Sequence, residues 1–502
     1  MTPLIRLTIV CVVLMCPILG PAIRAEEPEL LPFRVKAEPV FKELTPAHCW
    51  FHPRVAAMPG FGKDGQPAVV MTIQKHLSAD DHYSGMYFLR TDDLGKTWTG
   101  PKEIPELAWQ SGENDETIAV CDVTPGWHDP SGKLIAIGIK LRYSRAGAQL
   151  LDKPRSHECA YATFDPRSGQ WTKWKMLAMP GTEEKFFLNA PGCVQWLVNA
   201  DGSLLIPTYF KGPTGSDYTV TVLHCSFDGQ KLKYLKHGSE LTVSGGRGLC
   251  EPSLARFQGT HFLTLRNDAT AFVTTSADGL NYQPITKWTF DDGQELGSYN
   301  TQAHWLVHSR GLFLTYTRRG ANNDHIARNR APIFVAQVDP VKLQVLRKTE
   351  QPLLPERGVM LGNFAASLTP KEPTAPPGSA ESFGRNRILS RRDDKIAMWD
   401  ALIFEESNDA GVALRESCCV PVVSRWVADV RFDRARGGCR DALGAGLRSV
   451  RSVRPAGHRP VEVRCGGWEG LDRAIAGWRL AEREARCRGS LRRGARIVRG
   501  VS

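Results

Sequence analysis

The stretch Arg90–Gly100, RTDDLGKTWTG, packs threonines, aspartates, glycines and a tryptophan into one short turn. Its core, Thr91-x-Asp93-x-Gly95-x-Thr97-Trp98, has the chemistry of a hairpin clasp. The aspartate carboxylate accepts backbone N–H groups across a turn, glycine takes up a positive φ, and tryptophan packs the turn onto a sheet. These residues specify a fold, so the chemistry has to be sought elsewhere.

Degenerate relatives follow at TFDPRSGQW (163–171), SFDGQKL (226–232), SADGLNY (276–282) and QVDPVKL (337–343). Their aspartates, Asp93, Asp165, Asp228, Asp278 and Asp339, lie 72, 63, 50 and 61 residues apart. That period is too long for a solenoid repeat and fits four-stranded propeller blades with insertions. Between the turns run short segments rich in β-branched and aromatic residues, among them PAVVMTI, KLIAIGIKL, SLLIPTYF and HFLTLR. Each ends in Gly, Pro, Asp or Asn, and no long amphipathic helical pattern interrupts them. The expected fold is all-β: a six-bladed β-propeller of four-stranded antiparallel blades, five marked by turns and one closing the ring, followed by an irregular C-terminal tail.

The ends of the chain read differently. Arg6, the apolar run 7–19 and Ala25 before two glutamates form a secretory signal over 1–25, so a secreted or periplasmic protein is expected. A lead-in at 26–44, the propeller at 45–370, and a linker or damaged last blade at 371–400 follow. Residues 401–502 hold 20 Arg, no Lys and 12 acidic residues, a net of +8 out of +11 for the whole chain. Strand alternation vanishes there while Arg and Cys rise together, as in GC-rich DNA read out of frame; a basic helical module is the competing reading. The body is therefore near neutral. It offers no basic face for nucleic acid, and no membrane segment after signal cleavage. Six body cysteines, Cys49, Cys121, Cys159, Cys193, Cys225 and Cys250, are widely spaced without a CxxC. Export permits disulfides, single buried thiols fit equally, and neither a metal nor a cofactor is expected from the spacing.

The clasp at 91–98 resembles the Asp box of the sialidase superfamily, and the resemblance sharpens at four places between Cys49 and Ala366. FHPRVAAMPG (51–60) is similar to the segment that begins that family's arginine triad, with Arg54 in position. CEPSLARFQGTHFLTLRND (250–268) resembles the segment with a glutamate and, about fifteen residues on, the second arginine; Glu251 and Arg266 match. ARNRAPIFVAQVDP (327–340) holds the third, Arg330, with Arg328 as competitor. QKHLSADDHYSG (74–85) lies where the family carries an acid/base aspartate, Asp81 or Asp80. The resemblance implies a glycoside hydrolase cleaving a terminal acidic sugar from a glycan, with guanidinium groups binding the carboxylate in charge-assisted hydrogen bonds. It also implies a tyrosine nucleophile after the third arginine. This chain has none there: Asn363 and Phe364 stand in GNFAAS, and the last tyrosine is Tyr316. Tyr299 or Tyr316 would have to reach the site, or Glu251 and Asp81 act as base and acid in an inverting displacement. Gln302, His304, Asn323, Asp324 and His325 are further cleft candidates. The alternatives are another propeller carbohydrate enzyme, including a polysaccharide lyase using His304 or His325 with a tyrosine, and a non-catalytic glycan-binding propeller.

Overall fold

The structure is a computed structural model. It describes residues 28–405 apart from 45–46, 78–80, 146, 149, 151–154, 358–359, 369–385 and 391–395. The expected signal peptide, most of the linker, Asp80 and the tail beyond 405 lie outside the described residues.

Five antiparallel sheets follow one another along the chain, each built from one contiguous stretch. The first contains Cys49–Met58, Ala68–His76, Tyr83–Thr91 and Thr99–Glu103. The second is built on Glu116–His128, Lys133–Ser144 and Cys159–Asp165. The third has Leu188–Ala190, Leu204–Lys211, Thr219–Phe227 and Leu232–His237. The fourth runs Cys250–Phe257, Thr260–Arg266, Phe272–Ser276 and Thr286–Lys287. The fifth is built on His304–Val307, Leu312–Tyr316 and Ile333–Asp339. In that fifth sheet Thr289–Phe290 adds a short parallel edge. The protein is thus an all-β propeller. Five such blades are found, not the six expected, because the remaining sheet is not contiguous. It pairs Arg34–Leu44 with Ile396–Glu405, and then Asn386–Ser390 and Ala365–Leu368, so both ends of the propeller chain contribute to it.

The five spaced aspartates occupy one structural position, the turn between the third and fourth main strands of each blade. Asp93 Oδ1 accepts from Thr97 N at 2.9 Å, and Thr97 Oγ1 donates to Oδ2 at 2.6 Å. Asp165, Asp228, Asp278 and Asp339 likewise accept one or two backbone N–H groups at 2.7–3.0 Å. Trp98 packs onto the first blade's core, as the clasp chemistry requires.

The core lies between blades rather than within them. Alternation along each strand presents apolar side chains to both neighbouring sheets, and clusters fill the interfaces one after another. Trp288 and Trp305 meet between the fourth and fifth blades with centroids 5.7 Å apart. Their indole N–H groups donate to Thr264 Oγ1 and Ser253 O, so complete burial leaves no donor stranded. Burying such a side chain contributes about 1.5–3 kcal/mol. Near the axis Gln195 ties separate strands together. Its amide exchanges bonds with Trp305 and also donates to Ala366 O. Cys121, Cys159, Cys193, Cys225 and Cys250 are free thiols, which resolves for these five the open choice between thiols and bridges.

Candidate functional site

The innermost strands share a feature that builds the site. His52, Asp122, Cys193, Glu251, Asn300 and Asn363 all have left-handed backbone, with φ between 41° and 61°. Each stands at or just before an innermost strand, and all six line one cavity of about 430 Å³. In three strands the cause is a bulge: the pairing register shifts between Phe51 and Arg54, between Cys121 and Thr124, and between Cys250 and Ser253. Such residues cost on the order of 1 kcal/mol each and persist where packing over-determines them, commonly at functional sites. Pro53 and Pro252, directly after His52 and Glu251, favour the break because proline has no N–H for the ladder.

The cavity wall is rich in guanidinium groups: Arg155, Arg247, Arg266, Arg328 and Arg330 all reach it. Four carboxylates, Asp81, Asp122, Glu251 and Asp268, share it. Arg266 is 7% exposed and is held on both arms. One arm pairs with Glu251 and the other donates to Asn300 Oδ1 at 2.6 Å. Arg330 donates to Asn300 O at 2.8 Å and to Thr301 Oγ1 at 3.0 Å. The two guanidinium groups are therefore fixed around one residue. Gly362 lets Arg330 lie against the backbone, since a Cβ there would come within 2.7 Å of Arg330 Cδ. The Gln302 amide, fully buried, fits between Glu251 Oε2 (3.1 Å) and Asn363 N (3.2 Å). Arg247 clasps Asp268 by donating from Nε to one carboxylate oxygen and from NH2 to the other, and this hydrogen bonding holds the Asp268 carboxyl below its ordinary range.

Four of the residues singled out in the sequence, Asp81, Glu251, Arg266 and Arg330, meet in this cavity, together with Arg328. Asp81 is exposed and accepts the Tyr83 hydroxyl at 3.1 Å. Arg54 is not a lining residue. It is 1% exposed, and its NH1 donates to Asn363 O and Phe364 O at 3.0 and 2.9 Å while Nε and NH2 have no partner. The bulge at His52–Pro53 is the reason: the extra residue turns His52, rather than Arg54, toward the cavity. Tyr299 also lies outside the lining. Its hydroxyl donates to Asn329 Oδ1 at 2.7 Å, and the Arg319 guanidinium covers its ring at 4.3 Å. Tyr316 is fully buried and donates to Glu350. His304 is buried against Ser253, His325 faces Glu356 on the surface, and Asn323 and Asp324 are bound within their own loop.

The lining contains groups that sequence reading missed. Tyr83, Tyr209 and Tyr218 are its tyrosines. Burial, reinforced by Glu251, pushes the Tyr209 phenol well above its ordinary pKa, and burial also raises that of Tyr218. His157 Nδ1 is hydrogen-bonded to Lys140 O at 3.1 Å, and burial with neighbouring Arg155 lowers its pKa to about 4. It is thus a neutral imidazole at neutral pH. His52 Nε2 stands 2.6 Å from Asp122 Oδ1, and the Cys193 thiol donates to that oxygen at 3.2 Å. Burial would raise the Asp122 pKa, but His52, Cys193 and Arg54 outweigh it and hold the carboxyl well below the usual range. The Cys193 thiol itself is pushed up by burial and by Asp122. Of these residues His52 alone carried a usable signal in the sequence, the X-Pro step His52-Pro53 at the start of an inner strand.

No family model and no curated protein matches the chain. Among solved structures it is similar to the sialidase of Trypanosoma rangeli in complex with the inhibitor DANA, at 13% identity and a TM-score of 0.47, over 71% of this chain and 55% of that one. It is also similar to the NanB sialidase of Streptococcus pneumoniae, at 13% identity and a TM-score of 0.48, over 74% of this chain and 70% of that one. The chain spans little more than half the length of the T. rangeli enzyme.

Proposed function

We propose that the protein is an exported glycoside hydrolase that removes a terminal acidic, sialic-acid-like sugar from a glycan, with the mixed-end sheet serving as the sixth blade. The turn aspartates are then that superfamily's Asp boxes. What supports the reading is the meeting of Arg266 and Arg330 around Asn300, in a cavity that also holds Glu251 and Asp81. Paired, pre-fixed guanidinium groups suit a ring carboxylate, because their planar forks match it in bidentate fashion. Arg54 acts from beneath, by fixing the carbonyls of residues 363 and 364.

In the chemistry we favour, Asp81 gives its proton to the leaving glycosidic oxygen as the C–O bond breaks. Glu251 takes a proton from a water that attacks the anomeric carbon from the opposite face. The product then has inverted configuration, a displacement for which inverting enzymes keep their two carboxyl groups roughly 6.5–9.5 Å apart to admit the water. Raised phenol pKa values at Tyr209 and Tyr218 disfavour the phenolate that a tyrosine nucleophile needs. Incubating the purified chain with sialylated and uronate-terminated oligosaccharides, and assaying for a released acidic monosaccharide, tests the reading.

One observation favours a second reading. The neutral His157 shares the cavity with Tyr218 and several arginines, which are the parts a uronate lyase needs to neutralise a carboxylate and abstract the adjacent proton. An unsaturated product absorbing in the ultraviolet would mark that chemistry; hydrolysis gives none.

A further inference from the structure

We propose that His52, Asp122 and Cys193 bind one divalent cation of the zinc class, with an open coordination position facing the cavity. The three donor atoms, His52 Nε2, an Asp122 carboxylate oxygen and Cys193 Sγ, all lie within 4.8 Å of one another. Imidazole, carboxylate and thiolate are the donor types zinc takes, and three protein ligands with a vacant fourth position are the arrangement of sites that bind water or substrate. Each donor comes from a different blade and is turned inward by a residue with φ between 51° and 56°. His52 and Cys193 are 2% and 1% exposed, yet both reach the cavity lining. His52 Nε2 now donates to Asp122, and His52 Nδ1 has no partner, so the ring proton has a second nitrogen to move to when Nε2 takes a metal.

The present spacings of 2.6 Å and 3.2 Å to Asp122 Oδ1 are hydrogen-bond lengths. A zinc ion about 2.0–2.3 Å from each donor would spread them to roughly 3.3–3.6 Å apart, a displacement of about 1 Å or less by side-chain rotation. Proton balance is simple. The Cys193 S–H proton leaves to solvent, the His52 proton moves to the unpartnered Nδ1, and Asp122 is already ionised. Arg54 lies close enough to help hold Asp122 ionised, so it opposes a cation there; the affinity is accordingly below that of an all-cysteine structural site. The ligands stand 70 and 71 residues apart in the sequence, one blade each, so the short spacings that reveal zinc sites in sequences do not occur here. The fourth ligand is then water or an oxygen of the bound sugar.

The test uses the full chain, stripped with a chelator and titrated with Co²⁺ and then Zn²⁺ in the absence of any glycan, so its outcome is independent of the hydrolase reading. One equivalent of Co²⁺ should bind, with a thiolate-to-cobalt band in the near ultraviolet and strong visible bands of tetrahedral geometry, all displaced by Zn²⁺. Cys193→Ser should abolish the thiolate band. Asp122→Asn and His52→Gln should weaken binding by at least about 10- to 100-fold. Circular dichroism checks that each variant is folded; Cys193→Ser changes a single atom and carries the test if the others do not fold. Absence of saturable binding by the folded wild-type chain, or an unchanged cobalt spectrum in Cys193→Ser, would overturn the proposal.

Discussion

Arg266→Lys keeps the charge in the cavity and removes the fork, which makes it a selective probe of carboxylate recognition. Arginine carries five N–H donors; here Glu251 and Asn300 take one each, and Nε is buried without a partner. Two donors on the terminal nitrogens remain for a ligand. Lysine has three donors. If two stay with Glu251 and Asn300, one is left, so a ligand carboxylate loses one charge-assisted hydrogen bond. Such a bond is worth about 1.5–3 kcal/mol, or roughly a 10- to 150-fold rise in Kd. Calorimetric titration of wild type and variant with an acidic monosaccharide, and with its neutral alcohol analogue, separates this from general damage. The acidic ligand should weaken by that factor while the neutral one changes little. Equal affinity of both proteins for the acidic sugar, or equal losses for both ligands, would refute the argument.

Other outcomes follow from the same geometry. Glu251→Gln and Asp81→Asn should each lower kcat by about 10²- to 10⁴-fold, whereas Tyr299→Phe should lower it less than about tenfold, because its hydroxyl is bound to Asn329 outside the cavity. Asp93→Ala should lower stability by about 1 kcal/mol at pH 7, a value discounted because the carboxylate is largely solvated. The wild-type advantage is complete above the ordinary carboxyl pKa of 3.8. It should shrink as pH falls toward the folded-state value of about 2, as urea unfolding at pH 7, 4 and 3 would show. His157 has the opposite origin: its folded pKa is lowered to about 4, so the unfolded chain takes up the proton first. Stability should fall as pH drops from 6.5 toward 4, and a His157→Gln variant should lose that slope; imidazole NMR titration gives the pKa directly.

The fold was legible because its devices are local. Asp93, Asp165, Asp228, Asp278 and Asp339 bind backbone N–H groups within three or four residues of themselves, so each clasp is complete in a short stretch of text. The blade count was not, since the closing sheet joins Arg34–Leu44 to Ile396–Glu405 across the whole chain. Within the cavity, Glu251 and Arg266 were legible as a pair. They sit at one end of adjacent strands, where Cys250 pairs with Arg266. Arg54 was placed in the cavity by the resemblance of FHPRVAAMPG, which takes no account of the bulge at His52–Pro53 that turns His52 to the lining instead. Bulges also hid His52 and Asp122, while Cys193 stands in the irregular stretch between Leu188–Ala190 and Leu197–Val198; contacts spanning about 70 residues of sequence leave no short motif.

The central claim, an arginine-lined cavity that hydrolyses a terminal acidic sugar, is tested most directly by proton NMR of the purified chain with a sialylated oligosaccharide in real time. The account predicts that a free acidic monosaccharide appears, first with its anomeric configuration inverted, and that Glu251→Gln stops its release. No acidic sugar released from sialylated or uronate-terminated glycans by the folded protein would contradict the claim.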